Sequence, residues 1–178
     1  MSIEGLKAPC CLLLNSHPST LNGSALMDRM TVGRPMELLL VEDSLVAGRL
    51  ASGAIRQCGF EHRLTWLRDG QEAIDFLAQA GRFSKAPRPD LILLDLALPN
   101  RSGLEVLELI RQSSPLTALP VVIMTGEAGE EDEAACRSLQ VEAFLAKPLD
   151  VPKFMRIIEE LRHHWQADMI LPHRPASA

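Results

Sequence analysis

Three acids, a threonine and a lysine recur in one kind of place along this chain. Glu42 and Asp43 follow the apolar run Leu38–Val41, Asp95 follows Leu91–Leu94, Thr125 follows Val121–Met124, and Lys147 with Pro148 follows Val141–Ala146. Polar residues that end buried strands on the same side mark a site at the carboxyl edge of a parallel sheet. Three carboxylates, a hydroxyl and an ammonium gathered there suit a hard divalent cation and a phosphoryl group. Asp95 is the candidate nucleophile, because a carboxylate can attack phosphorus and hold the group as an acyl phosphate that later hydrolyses. Glu42, Asp43 and Asp95 repel one another once brought together. A bound Mg²⁺ removes that repulsion and bridges acceptor and phosphoryl oxygens. Lys147 supplies a point charge to the phosphoryl oxygens and Thr125 a hydroxyl hydrogen bond. Each residue alone reads more readily as a cap or a surface charge; the set carries the chemistry.

Those residues need strands to carry them and helices to return the chain. From Met36 onward apolar runs alternate with helical patterns, as in a βαβ fold on a parallel sheet. The first strand is expected over Glu37–Glu42. Ser44 then caps a helix with the stripe Ala47, Leu50, Ala51, Ala54, Ile55 and Cys58, and Gly59 supplies a left-handed stop. Glu61–Arg68 alternates as a short strand. Asp69 and Glu72 read as a capping box ahead of Ile74 and Leu77. The basic loop Gly81–Pro89, with Arg82, Lys85 and Arg88, reads as a solvated turn. It leads into Leu91–Leu94, whose unbroken apolar run suits a strand covered on both faces. Ser102 and Glu105 form another capping box, with Leu104, Leu107 and Ile110 facing inward. Glu127–Leu139 is a weak, acidic helix with few large apolar residues, and Val141–Leu145 is the fifth strand. Asp150 and Pro152 open a last helix with Phe154, Ile157, Ile158, Leu161 and Trp165 on one face. The fold class is α/β, a doubly wound parallel sheet of five strands with five helices.

Residues 1–35 mix Ser, Thr, Asn, Gly and Pro without a sustained period and are expected to be a disordered extension, with Met27, Met30 and Met36 as alternative starts. The domain is placed at residues 36–165, and 166–178 make a tail too short for an output domain. A hydrophobic share of 47% in 178 residues allows a large core, and a net charge of −5 argues against nucleic-acid binding. No apolar run reaches the roughly 20 residues of a membrane span. Cys10, Cys11, Cys58 and Cys136 lack metal-ligand spacing and read as thiols of the reducing cytoplasm. His163 and His164 sit near a helix end, where cations complement the dipole. Trp66 and Trp165 read as packing residues.

The segments Leu39-Leu40-Val41-Glu42-Asp43-Ser44, Pro89-Asp90-Leu91-Ile92-Leu93-Leu94-Asp95-Leu96 with Pro99 and Gly103, Thr125-Gly126 and Lys147-Pro148 together resemble the receiver domain of two-component response regulators. Asp95 and Thr125 stand 30 positions apart and Thr125 and Lys147 stand 22 apart, the usual separations of that family, and Phe144 falls three before the lysine. The Glu-Asp pair and the Gly81–Pro89 stretch are similar to single-domain regulators that partner cyanobacterial phytochromes. The resemblance covers Met36 to Trp165 and implies a flavodoxin-like fold with strand order 2-1-3-4-5. It implies a Mg²⁺ site in which Asp43 and Asp95 ligate directly, Glu42 acts through water, and the backbone carbonyl of Ala97 is the third protein ligand. It implies phosphorylation of Asp95 by a histidine kinase or phosphotransfer protein. Thr125 and Phe144 would form the switch, Gly126 would leave room for the phosphoryl group, and a cis bond to Pro148 would direct Lys147 inward. The function so implied is that of a stand-alone, non-enzymatic switch. It would act on a downstream protein target, or as a homodimer, through the face of the fourth helix, fifth strand and fifth helix. Neither nucleic acid nor membrane is an expected partner.

The chain departs from that family at two places. Gln140-Val141 replaces a common Gly-Ala pair, so a non-glycine must accept the backbone angle of that turn. Ala97, where relatives often carry a larger side chain, and Glu127 stand at the positions that flank the path of an attacking water in that family. Three other functions compete. A Mg²⁺-dependent phosphatase with an aspartyl nucleophile, as in the haloacid dehalogenase-like group, needs a general acid two residues after the nucleophile, and Asp95-Leu96-Ala97 lacks it. A Rossmann nucleotide site needs a Gly-rich turn where Glu42-Asp43-Ser44 stands. A phosphorylation-independent binding module is disfavoured because none of the phosphorylation residues is lost.

Overall fold

Strands form where the apolar runs lie: β1 (Met36–Val41), β2 (His62–Leu67), β3 (Leu91–Asp95), β4 (Val121–Thr125) and β5 (Ala143–Ala146). The helices between and after them are α1 (Leu45–Arg56), α2 (Gly70–Leu77), α3 (Gly103–Gln112), α4 (Glu130–Ser138) and α5 (Val151–Glu160), with a short 3₁₀ turn at Gly81–Phe83. The computed structural model describes residues 34–126, 129–161 and 165. His163, His164 and the tail 166–178 therefore lie outside the described residues, as does the expected extension apart from Arg34 and Pro35. Arg34 forks onto the Asp90 carboxylate at 2.7 and 2.8 Å. Among the described residues no helix is long and apolar enough to cross a membrane.

All neighbouring strands are parallel, in the expected order β2-β1-β3-β4-β5. Side chains alternate across a strand. Leu38, Leu40, Leu91 and Leu93 therefore meet α1 and α5, whereas Leu39, Val41, Ile92 and Leu94 meet α2, α3 and α4. Every residue of β3 is buried, as its unbroken run requires. Each fully buried leucine there contributes roughly 1.5–3 kcal/mol. The strand order reverses between β1 and β3, which opens a crevice at their carboxyl ends.

Several local expectations need correction. In α1 the buried residues are Gly48, Ala51, Ser52 and Ile55, while Leu50 points outward. The cause is Trp66, whose ring lies against Gly48 so closely that a Cβ there would come within 2.0 Å of it. Gly59 supplies no left-handed stop: α1 ends at Gln57 in right-handed geometry, and the positive φ angles fall at Gln79, Gly81, Asn100 and Gln140 among the described residues. Asp69 caps α2 by accepting from the N–H groups of Gln71 and Glu72, but Glu72 turns to Arg82 instead of closing the box. The basic loop is likewise more than a solvated turn, since the Arg82 guanidinium also lies 4.6 Å over the Phe83 ring and that ring packs edge-on against Phe76. β5 begins two residues late because Gln140 adopts φ +55°, so the chain is still turning at Val141. Ser102 and Glu105 do form the complete capping box of α3, and Asp150 caps α5.

Candidate functional site

The parallel sheet delivers all the singled-out side chains to one edge. Asp95 and Thr125 are the last residues of β3 and β4, Glu42 and Asp43 follow β1, and Lys147 follows β5. The Lys147 N–H donates to the Thr125 carbonyl at 2.9 Å, extending the β4–β5 ladder by one step, and the Lys147–Pro148 bond is cis. Gly103 lets α3 start directly over the end of β3, for a Cβ there would sit 2.0 Å from the Asp95 carbonyl oxygen. At Gly126 a Cβ would meet nothing within 4 Å, so the space beside Thr125 is open.

One carboxylate oxygen each from Glu42, Asp43 and Asp95 lies within 4.8 Å of the other two. Glu42 is fully buried and Asp95 nearly so. The Lys147 ammonium lies 2.5 Å from Glu42 Oε2 and 2.7 Å from Asp95 Oδ2. Glu42 Oε2 is buried, and the ammonium is the partner it meets among the described residues. Glu42 Oε1 accepts from the Ser44 N–H at 3.1 Å, and Asp95 Oδ1 from the Ala97 N–H at 3.3 Å. Burial alone would lower the Lys147 pKa. Hydrogen bonds to Asp95 and Glu42, with their charges, outweigh it and hold the ammonium above the ordinary lysine value.

Three carboxylates against one ammonium leave the crevice negative, and every donor facing it is oxygen. A hard divalent cation fits such a set, and the buried Glu42 Oε2, which meets the Lys147 ammonium and nothing else among the described residues, has a lone pair left for one. Asp43, partly exposed at the crevice mouth, completes the group. Thr125 and Phe144 share one face of the sheet: Thr125 pairs with Ala146, and Ile123 with Phe144, two positions back on each strand. Phe144 is half-buried against the α2–α4 side of the core, with the Arg137 guanidinium 5.3 Å over its ring.

Two residues at the site were not picked out by sequence pattern as anything more than packing or strand end. Trp66 donates to the Glu42 carbonyl and Arg68 to the Asp43 carbonyl. Backbone carbonyls carry no sequence signature, so only the alternation that puts residues 66 and 68 on one face of the strand could have hinted at the pair.

Comparison with known proteins agrees with this geometry. The family model described as the response regulator receiver domain matches residues 38–159. Response regulator Rcp1 from Synechocystis sp. is 38% identical over 138 residues, covering 78% of this chain and 94% of that protein. A crystal structure of the Mn²⁺-bound form of Rcp1 superposes with a TM-score of 0.63 at 37% identity, covering 78% of this chain and all of that one. The phosphorylated cyanobacterial phytochrome response regulator RcpA superposes with a TM-score of 0.64 at 33% identity, covering 79% of this chain and all of that one.

Proposed function

This chain belongs to the response regulator receiver domain family, and from that premise we propose that Asp95 is the residue that accepts the phosphoryl group. The observation that carries the reading is the placement of its carboxylate, 2.7 Å from the Lys147 ammonium and grouped with Glu42 and Asp43 at the strand ends. A histidine kinase or phosphotransfer protein presents the group on a histidine. A carboxylate oxygen of Asp95 attacks phosphorus, a P–O bond forms as the P–N bond breaks, and the departing imidazole keeps the electron pair and regains a proton. Lys147 pairs with one phosphoryl oxygen, and Thr125 donates its hydroxyl to another in the open space beside Gly126. Asp43, Asp95 and the carbonyl of Ala97, with Glu42 through water, would hold Mg²⁺, which would offset charge on the phosphoryl oxygens.

The donor meets the surface around the start of α1, where Leu45, Val46 and Leu50 are 47%, 69% and 55% exposed. Val46 and Leu50 line an apolar depression together with Lys147, Pro148 and Leu149. Apolar side chains grouped at the rim of a charged site suit a protein partner rather than a small phosphodonor. Once the group is transferred, Thr125 moves towards it and Phe144 turns inward, shifting the α4–β5–α5 face between two populations. A downstream protein, or a second copy of the chain, reads that face in the cytoplasm. The test is labelling with acetyl phosphate and Mg²⁺. One acid-stable, base-labile group per chain is expected, and Asp95→Asn abolishes it while leaving the fold intact; undiminished labelling of that variant refutes the assignment.

A further inference from the structure

Where the backbone ladder between β1 and β2 stops, side chains at and just past the end of β2 take over. The last registered pair is Val41 with Leu67, and one further bond runs from the Glu42 N–H to the Leu67 carbonyl at 3.0 Å. The carbonyls of Glu42 and Asp43 lie beyond it. Trp66 Nε1 donates to the Glu42 carbonyl at 2.8 Å. Arg68 donates twice to the Asp43 carbonyl, from Nε at 3.0 Å and Nη2 at 2.9 Å. Gly48 admits the indole, since a Cβ there would collide with the ring.

We infer that Trp66 and Arg68 are positioning residues that aim the Asp43 carboxylate into the site. The two carbonyls they hold belong to the two peptide planes on either side of the Asp43 Cα. Peptide planes are rigid, so holding both sets φ and ψ at Asp43 and with them the direction of its Cβ. Without those contacts Asp43 would bridge the last ladder bond, from the Glu42 N–H, and the Ser44 cap of α1, with neither of the two peptide carbonyls around its own Cα held. Outer contacts that orient a ligand typically change metal affinity 10–100-fold when removed.

The inference rests on the divalent-metal reading above, and its test separates the two. The dissociation constant for Mn²⁺ is measured on the full chain by electron paramagnetic resonance of the free ion. Trp66→Phe keeps an aromatic body without the N–H, and Arg68→Lys keeps the charge without the fork, so neither alters the electrostatics of the crevice. Each single variant is expected to weaken Mn²⁺ about threefold and the double variant about tenfold. Arg63→Gln, which removes the pair with Glu37 at the other end of β2, is expected to bind as the unaltered chain does. Affinities within twofold of the unaltered chain for both single variants and the double would overturn the positioning role. A loss in Arg63→Gln as large as the double variant's would assign the effect to strand stability and overturn it too. Failure of the unaltered chain to bind Mn²⁺ would overturn the metal reading itself, and the inference with it.

Discussion

Lys147 touches two carboxylates at once, and its removal would leave both at the crevice without their cation. The Glu42 carboxylate is fully buried, and taking one partner from a buried pair is far more damaging than losing a surface contact. The Lys147 side chain retains 19% exposure, so the effect belongs below the fully buried limit. Lys147→Met is therefore expected to lose about 2–4 kcal/mol in metal-free buffer. Millimolar Mg²⁺ should recover most of the loss, because a divalent cation supplies the missing charge. Urea unfolding with and without Mg²⁺ measures both. Asp95→Asn added to Lys147→Met should also recover stability, since it deletes one of the unpaired charges. A Lys147→Met protein as stable as the original in metal-free buffer would show that the ammonium contacts are idle.

At the scale of elements, two helix termini carry distinct polar devices. Arg111, in the last turn of α3, donates to four carbonyls: Leu139 and Gln140 after α4, and Thr117 and Leu119 before β4. Burial pushes its pKa down and the Glu142 charge opposes that. The guanidinium thus ties α3 to the turn in which Gln140 holds its left-handed angle. Arg111→Met should lose about 2–3 kcal/mol, since hydrogen bonds to charged groups contribute roughly 1.5–3 kcal/mol each and do not add fully here. Denaturant titration checks it, and amide exchange should quicken first at residues 139–142. At the other end of α3, Glu105 is held below the usual carboxylate range. Its largest cause is the hydrogen bond from the Ser102 backbone, followed by that from Arg101. A depressed folded pKa stabilises above the unfolded value, about 4.3, and the contribution is lost as pH falls through the folded value. Glu105→Gln keeps the box geometry but cannot titrate. Its melting temperature should fall less steeply between pH 5 and pH 3 than that of the original chain.

For the molecule as a whole, charge is sorted across the α4–β5–α5 side. The first turn of α4 carries Glu130, Glu131, Asp132 and Glu133, and only Cys136 of that helix is buried. Lys153 and Arg156 stand exposed on α5. The acidic turn of α4 can meet the Lys153–Arg156 stretch of α5, which precedes Glu159 and Glu160 on that helix, about a two-fold axis. Phosphorylation is accordingly expected to favour a dimer through this face, weakened by salt because the pairs are exposed. Sedimentation of the phosphorylated protein at low and high ionic strength measures it, and a monomer at tens of micromolar under both conditions refutes it.

Periodicity and capping act between near neighbours, so the order of residues along the chain was enough to set the alternation of strands and helices, the burial of β3 and the capping box of α3. It was also enough to set which residues stand at or beside the strand ends. In a parallel sheet strand ends share an edge, so Glu42, Asp43, Asp95, Thr125 and Lys147 group together from their places in the sequence. The face of α1 was settled only by packing, since Leu50 satisfies helical periodicity but Gly48 must lie against Trp66, 18 residues further on. The unusual angle at Gln140 was expected from the resemblance, whereas packing settled that Gly59 would supply no left-handed stop. It also directed the donors of Trp66, Arg68 and Arg111 to distant carbonyls. Every residue type carries the same backbone carbonyl, so the choice of which one a side chain reaches is made only when strands and helices pack.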